Sequence, residues 1–233
     1  MLERLKQEVY EANLELVKQG LVIYTWGNVS AYDDATGYVV IKPSGVDYEQ
    51  MQAQDMVVVN LEGQVIEGAY RPSSDTPTHC YLYKAFPTLK SIVHTHSAWA
   101  VIFAQAQKAI EPYGTTHADY FFGAVPCTRP LRDEEIAHAY EHNTGVVIEE
   151  TFHSLKLDPL SLPGVLVSEH GPFSFGSSPS RAVHNAKVLE EVAKMAYHTE
   201  VLNPGIKTLN PALLKKHYLR KHGKDAYYGQ KGK

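Results

Sequence analysis

Residues 91–100 read SIVHTHSAWA, an apolar run that ends on two histidines, His94 and His96, two positions apart. In an extended strand, residues i and i+2 share a face, so this spacing sets two imidazoles side by side within reach of one ion. Two ligands do not make a site, because a catalytic zinc usually takes three protein ligands and keeps one position open. His170, in SEHGPFSFG, ends an expected strand before a glycine and offers a third imidazole that a neighbouring strand can bring to the same point. Asp75, in SSDTPTH, is a candidate fourth ligand or a base beside the ion. Three imidazoles suit zinc, manganese and other divalent ions alike. The chain holds 12 histidines, so an H-x-H pair also arises by chance.

The other histidines carry less. His138 and His142 are four apart and would share a helix face, but the glutamate between them is misplaced for H-E-x-x-H chemistry, which leaves a solvated face. His153, His184 and His198 have no partner at ligand spacing, and His79 follows the serines that cap a helix. Two loops offer hydroxyls and exposed amides: KPSG (Lys42, Pro43, Ser44, Gly45) and PSSD (Pro72, Ser73, Ser74, Asp75). The second stands at an expected helix N-terminus, where free N–H groups and the helix dipole favour a phosphate. WGNVS adds Gly27 and the Asn28 side chain. Each loop alone is more often a turn or a cap. Beside a candidate metal they suggest a phosphorylated small molecule, held by amides at one end and by the ion at the other.

These residues need a scaffold of strands and helices. Leu2, Leu5, Val9, Ala12 and Leu16 recur at helical spacing and stop at Gly20. Residues 21–45 read as strands broken by turns, with Gly37 a hairpin position, and residues 55–68 repeat the theme. A helix is expected after RPSSD, capped by Ser73, Ser74 or Asp75 with Pro77 in its first turn. LKSIVHTHS should be a strand running into a helix from Ala98 to Gln107, AVPCTRP a short strand, and DEEIAHAY the start of a helix. GVLVSEHGPFSFG reads as a strand pair, and a long helix capped by Ser178 or Ser180 follows. The chain closes on a basic helix, LLKKHYLRKHGK, and a polar tail. The expected architecture is α/β: one three-layer α/β/α domain with a central, largely antiparallel sheet.

With 44% hydrophobic and 21% charged residues, the 233-residue chain is long enough for one sizeable core. A net charge of -4 argues against nucleic acid or an anionic membrane as partner. Cys80 and Cys127 form no C-x-x-C pair, which fits a reducing cytoplasm. The charged N-terminus has no apolar signal region, and no run reaches membrane-spanning length.

The strings TWGNVS, IKPSGVDY, PSSDTPTH, IVHTHS, GTTHADYF, PCTR, PGVLVSEHGPFSFG and KHYLRKHGKDAYYGQ, in this order over almost the whole chain, resemble the pentulose-phosphate 4-epimerases of the class II aldolase and epimerase family. The resemblance implies a zinc isomerase that interconverts L-ribulose 5-phosphate and D-xylulose 5-phosphate, with arabinose or ascorbate degradation as its pathway. It implies that His94, His96 and His170 are zinc ligands with Asp75 at the metal, and that Gly27, Asn28, Ser44, Gly45, Ser73 and Ser74 are substrate contacts, with Lys42 beside them. Asp119 and Tyr228 match acid and base residues that the family brings together from adjoining subunits of a homotetramer, and His217 matches a further site residue. One domain over residues 1–230 is implied, with KGK (231–233) a disordered tail. Sugar-phosphate aldolases of the family carry a glutamate where this chain has Asp75; the shorter acid favours epimerase over aldolase. The alternatives are an aldolase that releases the fragments, or a catalytically silent metal or sugar-phosphate binding protein.

Carbon 4 of a pentulose lies too far from the C2 carbonyl for enolisation to reach it. The expected chemistry is therefore cleavage of the C3–C4 bond, rotation of the glycolaldehyde phosphate, and re-addition to its other face. A divalent ion would stabilise the charge on the remaining fragment, and Asp119 and Tyr228 would move the protons.

Overall fold

The computed structural model describes residues 2–228, so the expectation for the tail at 231–233 lies outside the described residues. Seven strands, β1 (Asn28–Asp33), β2 (Tyr38–Ile41), β3 (Val57–Val59), β4 (Val65–Glu67), β5 (Ser91–His94), β6 (Gly164–Val167) and β7 (Gly171–Gly176), form one sheet in the order β4-β3-β2-β1-β5-β7-β6. Each neighbouring pair is antiparallel. Eight α-helices accompany the strands among the described residues: α1 (Glu3–Lys18), α2 (Thr76–Ala85), α3 (Ala98–Gln105), α4 (Thr115–Ala118), α5 (Asp133–Ala137), α6 (Tyr140–Ser154), α7 (Pro179–Leu202) and α8 (Pro211–His222).

Alternation along the strands divides the core into two faces. Ile92, Val165, Val167, Phe173 and Phe175 join Leu82, Ile148 and Phe152 from α2 and α6. Val29 and Val93 instead meet Leu16 of α1 and Ala182 and Ala186 of α7, while Leu166 packs with Phe103 of α3 and Leu189 of α7. Each fully buried aliphatic or aromatic side chain contributes about 1.5–3 kcal/mol. Helices on both faces of one sheet make a single domain with three α/β/α layers, as the periodicities predict. Gly20 and Gly37 both take positive φ, at the end of α1 and in the β1–β2 turn. The Ser178 hydroxyl accepts from the Arg181 amide to cap α7. Cys80 and Cys127 are free. No described helix is long and apolar enough to cross a membrane.

Several local expectations are corrected. Residues 21–27 form no strand, because Tyr24 (φ 53°) and Gly27 (φ 73°) turn the chain out of extension. AVPCTRP makes only isolated bridges, with Val125 paired to Ile110 and Cys127 to Leu166. Ala139 (φ 57°) separates α5 from α6, so His138 and His142 do not share a helix. β5 ends at His94, which leaves His96 in the loop before α3.

Candidate active site

The site lies where β5, β1 and the β6–β7 turn meet the first turns of α2 and α6. Asn28 on β1 stands opposite His94 on β5, and His94 stands opposite Phe173 on β7. The Phe173 ring stacks on His94 at 4.3 Å between centroids. His94 Nδ1 lies 3.0 Å from the Pro172 carbonyl, which accepts its N–H and turns Nε2 outward. His96 Nε2 comes within 3.2 Å of that nitrogen, although it lies beyond the strand. His170 reaches the same point from the turn between β6 and β7, after Glu169 at φ 63°. Gly171 makes this approach possible, since a Cβ there would stand 2.8 Å from the Thr95 carbonyl oxygen.

One donor atom from each of His94, His96 and His170 lies within 4.8 Å of the others. Burial holds His94 and His170 down to a pKa of about 3, and it lowers His96 in the same direction. Three neutral imidazoles therefore point toward one another. Two facing nitrogens at 3.2 Å are what a shared cation satisfies, so the donor set fits a divalent metal.

Asp75 occupies the N-cap position of α2, but its side chain makes no capping bond. Asn28 Nδ2 donates to Asp75 Oδ2 at 2.7 Å and to Ser73 Oγ at 3.1 Å. The charge of Asp75 reaches the cluster, opposing the lowered pKa of His96 and His170, although its oxygens are outside the close group of three donors. Asn28 Oδ1 is buried with no hydrogen-bond partner among the described residues, and Asn28 lines the cleft. A buried carbonyl of this kind is completed by a ligand hydroxyl or water.

The two hydroxyl loops are joined. The Ser44 amide donates to the Arg71 carbonyl and the Ser73 amide to the Lys42 carbonyl, both at 2.9 Å. Lys42 is 2% exposed. Its ammonium donates to the carbonyls of Thr25, Pro43 and Val46 at 3.2, 3.4 and 3.3 Å, and burial lowers its pKa to about 8. Lys42 thus braces the loops as well as lining the cleft. Gly27 sits where a Cβ would meet Val22 Cγ1 at 2.6 Å and the His94 carbonyl at 3.0 Å.

The resulting cleft has a volume of about 470 Å³. Gly27, Asn28, Lys42, Ser44, Gly45, Ser73, Ser74, Asp75, His94, His96 and His170 all line it. The start of α2 and the start of α6 also open onto it, so the positive ends of two helix dipoles face the same space. This one cavity can hold an anion at the loops and a cation at the imidazoles.

Asp119, His217 and Tyr228 are brought together elsewhere, between α4 and α8, and none of them lines the histidine cleft. Arg220 grips Asp119 through Nη2 at 2.8 and 3.0 Å and Nε at 3.1 Å, with His217 Nδ1 at 3.0 Å and Lys221 Nζ at 3.5 Å. Burial alone would raise the Asp119 carboxyl, but bonds from Arg220 and His217, with the Lys221 charge nearby, hold it below its ordinary value. The Arg220 and Lys221 cations lie 4.8 and 4.5 Å from the Tyr228 ring centre.

Sequence reasoning missed Tyr140, whose hydroxyl lies 3.2 Å from His170 Nδ1, and the individual parts played by Arg220 and Lys221. Tyr140 carries no ligand spacing, and only the break at Ala139 delivers it to the cleft. The basic run of α8 was visible as a charged face, but its convergence on Asp119 depends on the packing of α8 against α4.

Comparison with known proteins identifies the family. Residues 7–197 match the family described as Class II Aldolase and Adducin N-terminal domain. The chain is 55% identical over 230 residues, 99% of its length and 100% of theirs, to proteins of Salmonella paratyphi A and Salmonella typhi named L-ribulose-5-phosphate 4-epimerase UlaF. Among solved structures, an L-fuculose 1-phosphate aldolase superposes with a TM-score of 0.79 at 21% identity, covering 94% of this chain and 96% of that one. An L-fuculose-1-phosphate aldolase from Thermus thermophilus gives 0.65 at 24% identity, with 88% and 99% coverage. The structural likenesses establish the fold, and the sequence matches place the chain more narrowly: it belongs to the class II aldolase and adducin N-terminal domain family.

Proposed function

We propose that the chain is a zinc-dependent L-ribulose-5-phosphate 4-epimerase. The observation that carries this reading is the convergence of His94, His96 and His170 in the cleft that also holds both hydroxyl loops. Whole-length identity of 55% to proteins named for that activity supports it.

His94, His96 and His170 would hold the ion, with Asp75 beside it. Bound there, the cation supplies positive charge that stabilises the electron pair left when the C3–C4 bond opens. Ser44, Ser73, Ser74 and the Gly45 amide anchor the phosphate at the N-terminus of α2, so glycolaldehyde phosphate stays in the cleft while its carbonyl turns. Asn28 Oδ1 accepts from a sugar hydroxyl, and its NH2 group fixes Asp75 by donating to it. Held there and one methylene shorter than a glutamate, Asp75 reaches less far toward the carbon that an aldolase must protonate. Asp119 and Tyr228, steadied by Arg220 and His217, exchange protons with the C4 oxygen on its two faces. They lie outside the cleft of their own chain, so the reading places them at the cleft of a neighbouring subunit in a homotetramer acting in the cytoplasm.

Cleavage and re-addition leave the hydrogen on C4 untouched. Turnover of L-ribulose 5-phosphate in deuterated water should therefore give D-xylulose 5-phosphate with no deuterium at C4. Solvent deuterium at that carbon would exclude the mechanism, and accumulation of free glycolaldehyde phosphate would identify an aldolase.

A further inference from the structure

Resting on the metal site proposed above, we infer that Tyr140 is a positioning residue for His170: its hydroxyl accepts the Nδ1 proton and so presents the Nε2 lone pair to the ion. His94 has the equivalent support from the main chain, where the Pro172 carbonyl stands 3.0 Å from Nδ1. At His170 the group within hydrogen-bond distance of Nδ1 is the Tyr140 hydroxyl, at 3.2 Å, with the ring centres 6.1 Å apart. A ligating histidine commonly donates its second ring N–H to a fixed acceptor, and that partner sets both tautomer and ring orientation.

The acceptor is held in place by the start of α6. Ala139, at φ 57°, turns the chain so that Tyr140 opens the helix. The Asn143 side chain donates to the carbonyls of Glu135 and His138 at 3.0 and 2.6 Å, which closes the α5–α6 junction. Thr144 Oγ1 donates to the Tyr140 carbonyl at 3.0 Å, and the Thr78 hydroxyl of α2 donates to the Glu141 carbonyl. The two helices that open onto the cleft are therefore locked at their first turns, and the phenol is fixed against the imidazole. While accepting from His170, the hydroxyl keeps its own proton to donate into the cleft that Tyr140 lines.

Tyr140→Phe removes only the oxygen. Zinc affinity, read by competition with a chromophoric chelator, should fall about 10–100-fold. In metal-free protein, long-range 1H–15N spectra should show His170 as the Nδ1–H tautomer in the parent and as a mixture in the Phe variant. Thr151→Val, which removes a buried hydroxyl bonded to the Val147 carbonyl further along α6 and leaves the turn that carries Tyr140 untouched, should bind zinc like the parent. Affinity of Tyr140→Phe within about twofold of the parent, or equal losses in both variants, would overturn the inference while leaving the metal reading intact. A parent protein that binds no zinc would overturn both.

Discussion

Acid should unfold the metal-free protein steeply, because its buried histidines exclude protons that the unfolded chain accepts. Burial lowers His79, His94 and His170 to about 3 and His117 to about 4, from an ordinary value of 6.5. The sign follows from linkage: the unfolded state binds more protons between the two values, so stability is present above pH 6.5 and is lost as pH falls. Each of the four residues should cost about 2 kcal/mol between pH 7 and pH 5, about 8 kcal/mol together. That is comparable with the whole stability of a domain, roughly 5–15 kcal/mol. His96 and His184 are shifted in the same direction and add to the effect. The assay is urea unfolding followed by circular dichroism at pH 7, 6 and 5 in excess chelator. His79 allows the slope to be dissected, since it lies outside the three-histidine group and pairs with the Ser30 hydroxyl at 2.7 Å. His79→Gln should flatten the dependence by one proton, about 1.4 kcal/mol per pH unit. Stability that changes by less than about 2 kcal/mol from pH 7 to pH 5, or a His79→Gln slope equal to the parent's, would refute the reasoning.

Two further outcomes are expected. Gly171→Ala forces a Cβ to 2.8 Å from the Thr95 carbonyl, between His94 and His96, so it should cost about 1–3 kcal/mol in thermal unfolding and weaken zinc binding in a chelator competition. Asp119→Asn should lower epimerase kcat by about 10²–10⁴-fold and leave zinc affinity unchanged, since Asp119 lies outside the histidine cleft of its own chain and is proposed to meet only the substrate in a neighbour's; a parallel loss of both would refute its separate role.

The parts of the site that were legible in the sequence are those with local signals. Paired histidines at the end of an apolar run, and serines before a helix, announce themselves through spacing and capping. Strand alternation and the glycine stops at Gly20 and Gly37 gave the layers. The parts that stayed hidden depend on long-range packing or on single backbone angles. Positive φ at Tyr24 and Ala139 removed an expected strand and split an expected helix, and neither residue type signals that conformation. The convergence of His217, Arg220 and Lys221 on Asp119 spans about a hundred residues and rests on how α8 meets α4. His96 was assigned correctly as a neighbour of His94 for an incomplete reason: the strand stops before it, and the loop into α3 completes the approach.

The most direct measurement is proton NMR of L-ribulose 5-phosphate incubated with chelator-stripped protein, before and after zinc is restored. Inversion at C4 to D-xylulose 5-phosphate should be absent from the stripped sample and return with the metal. Full conversion by the stripped protein would contradict the account.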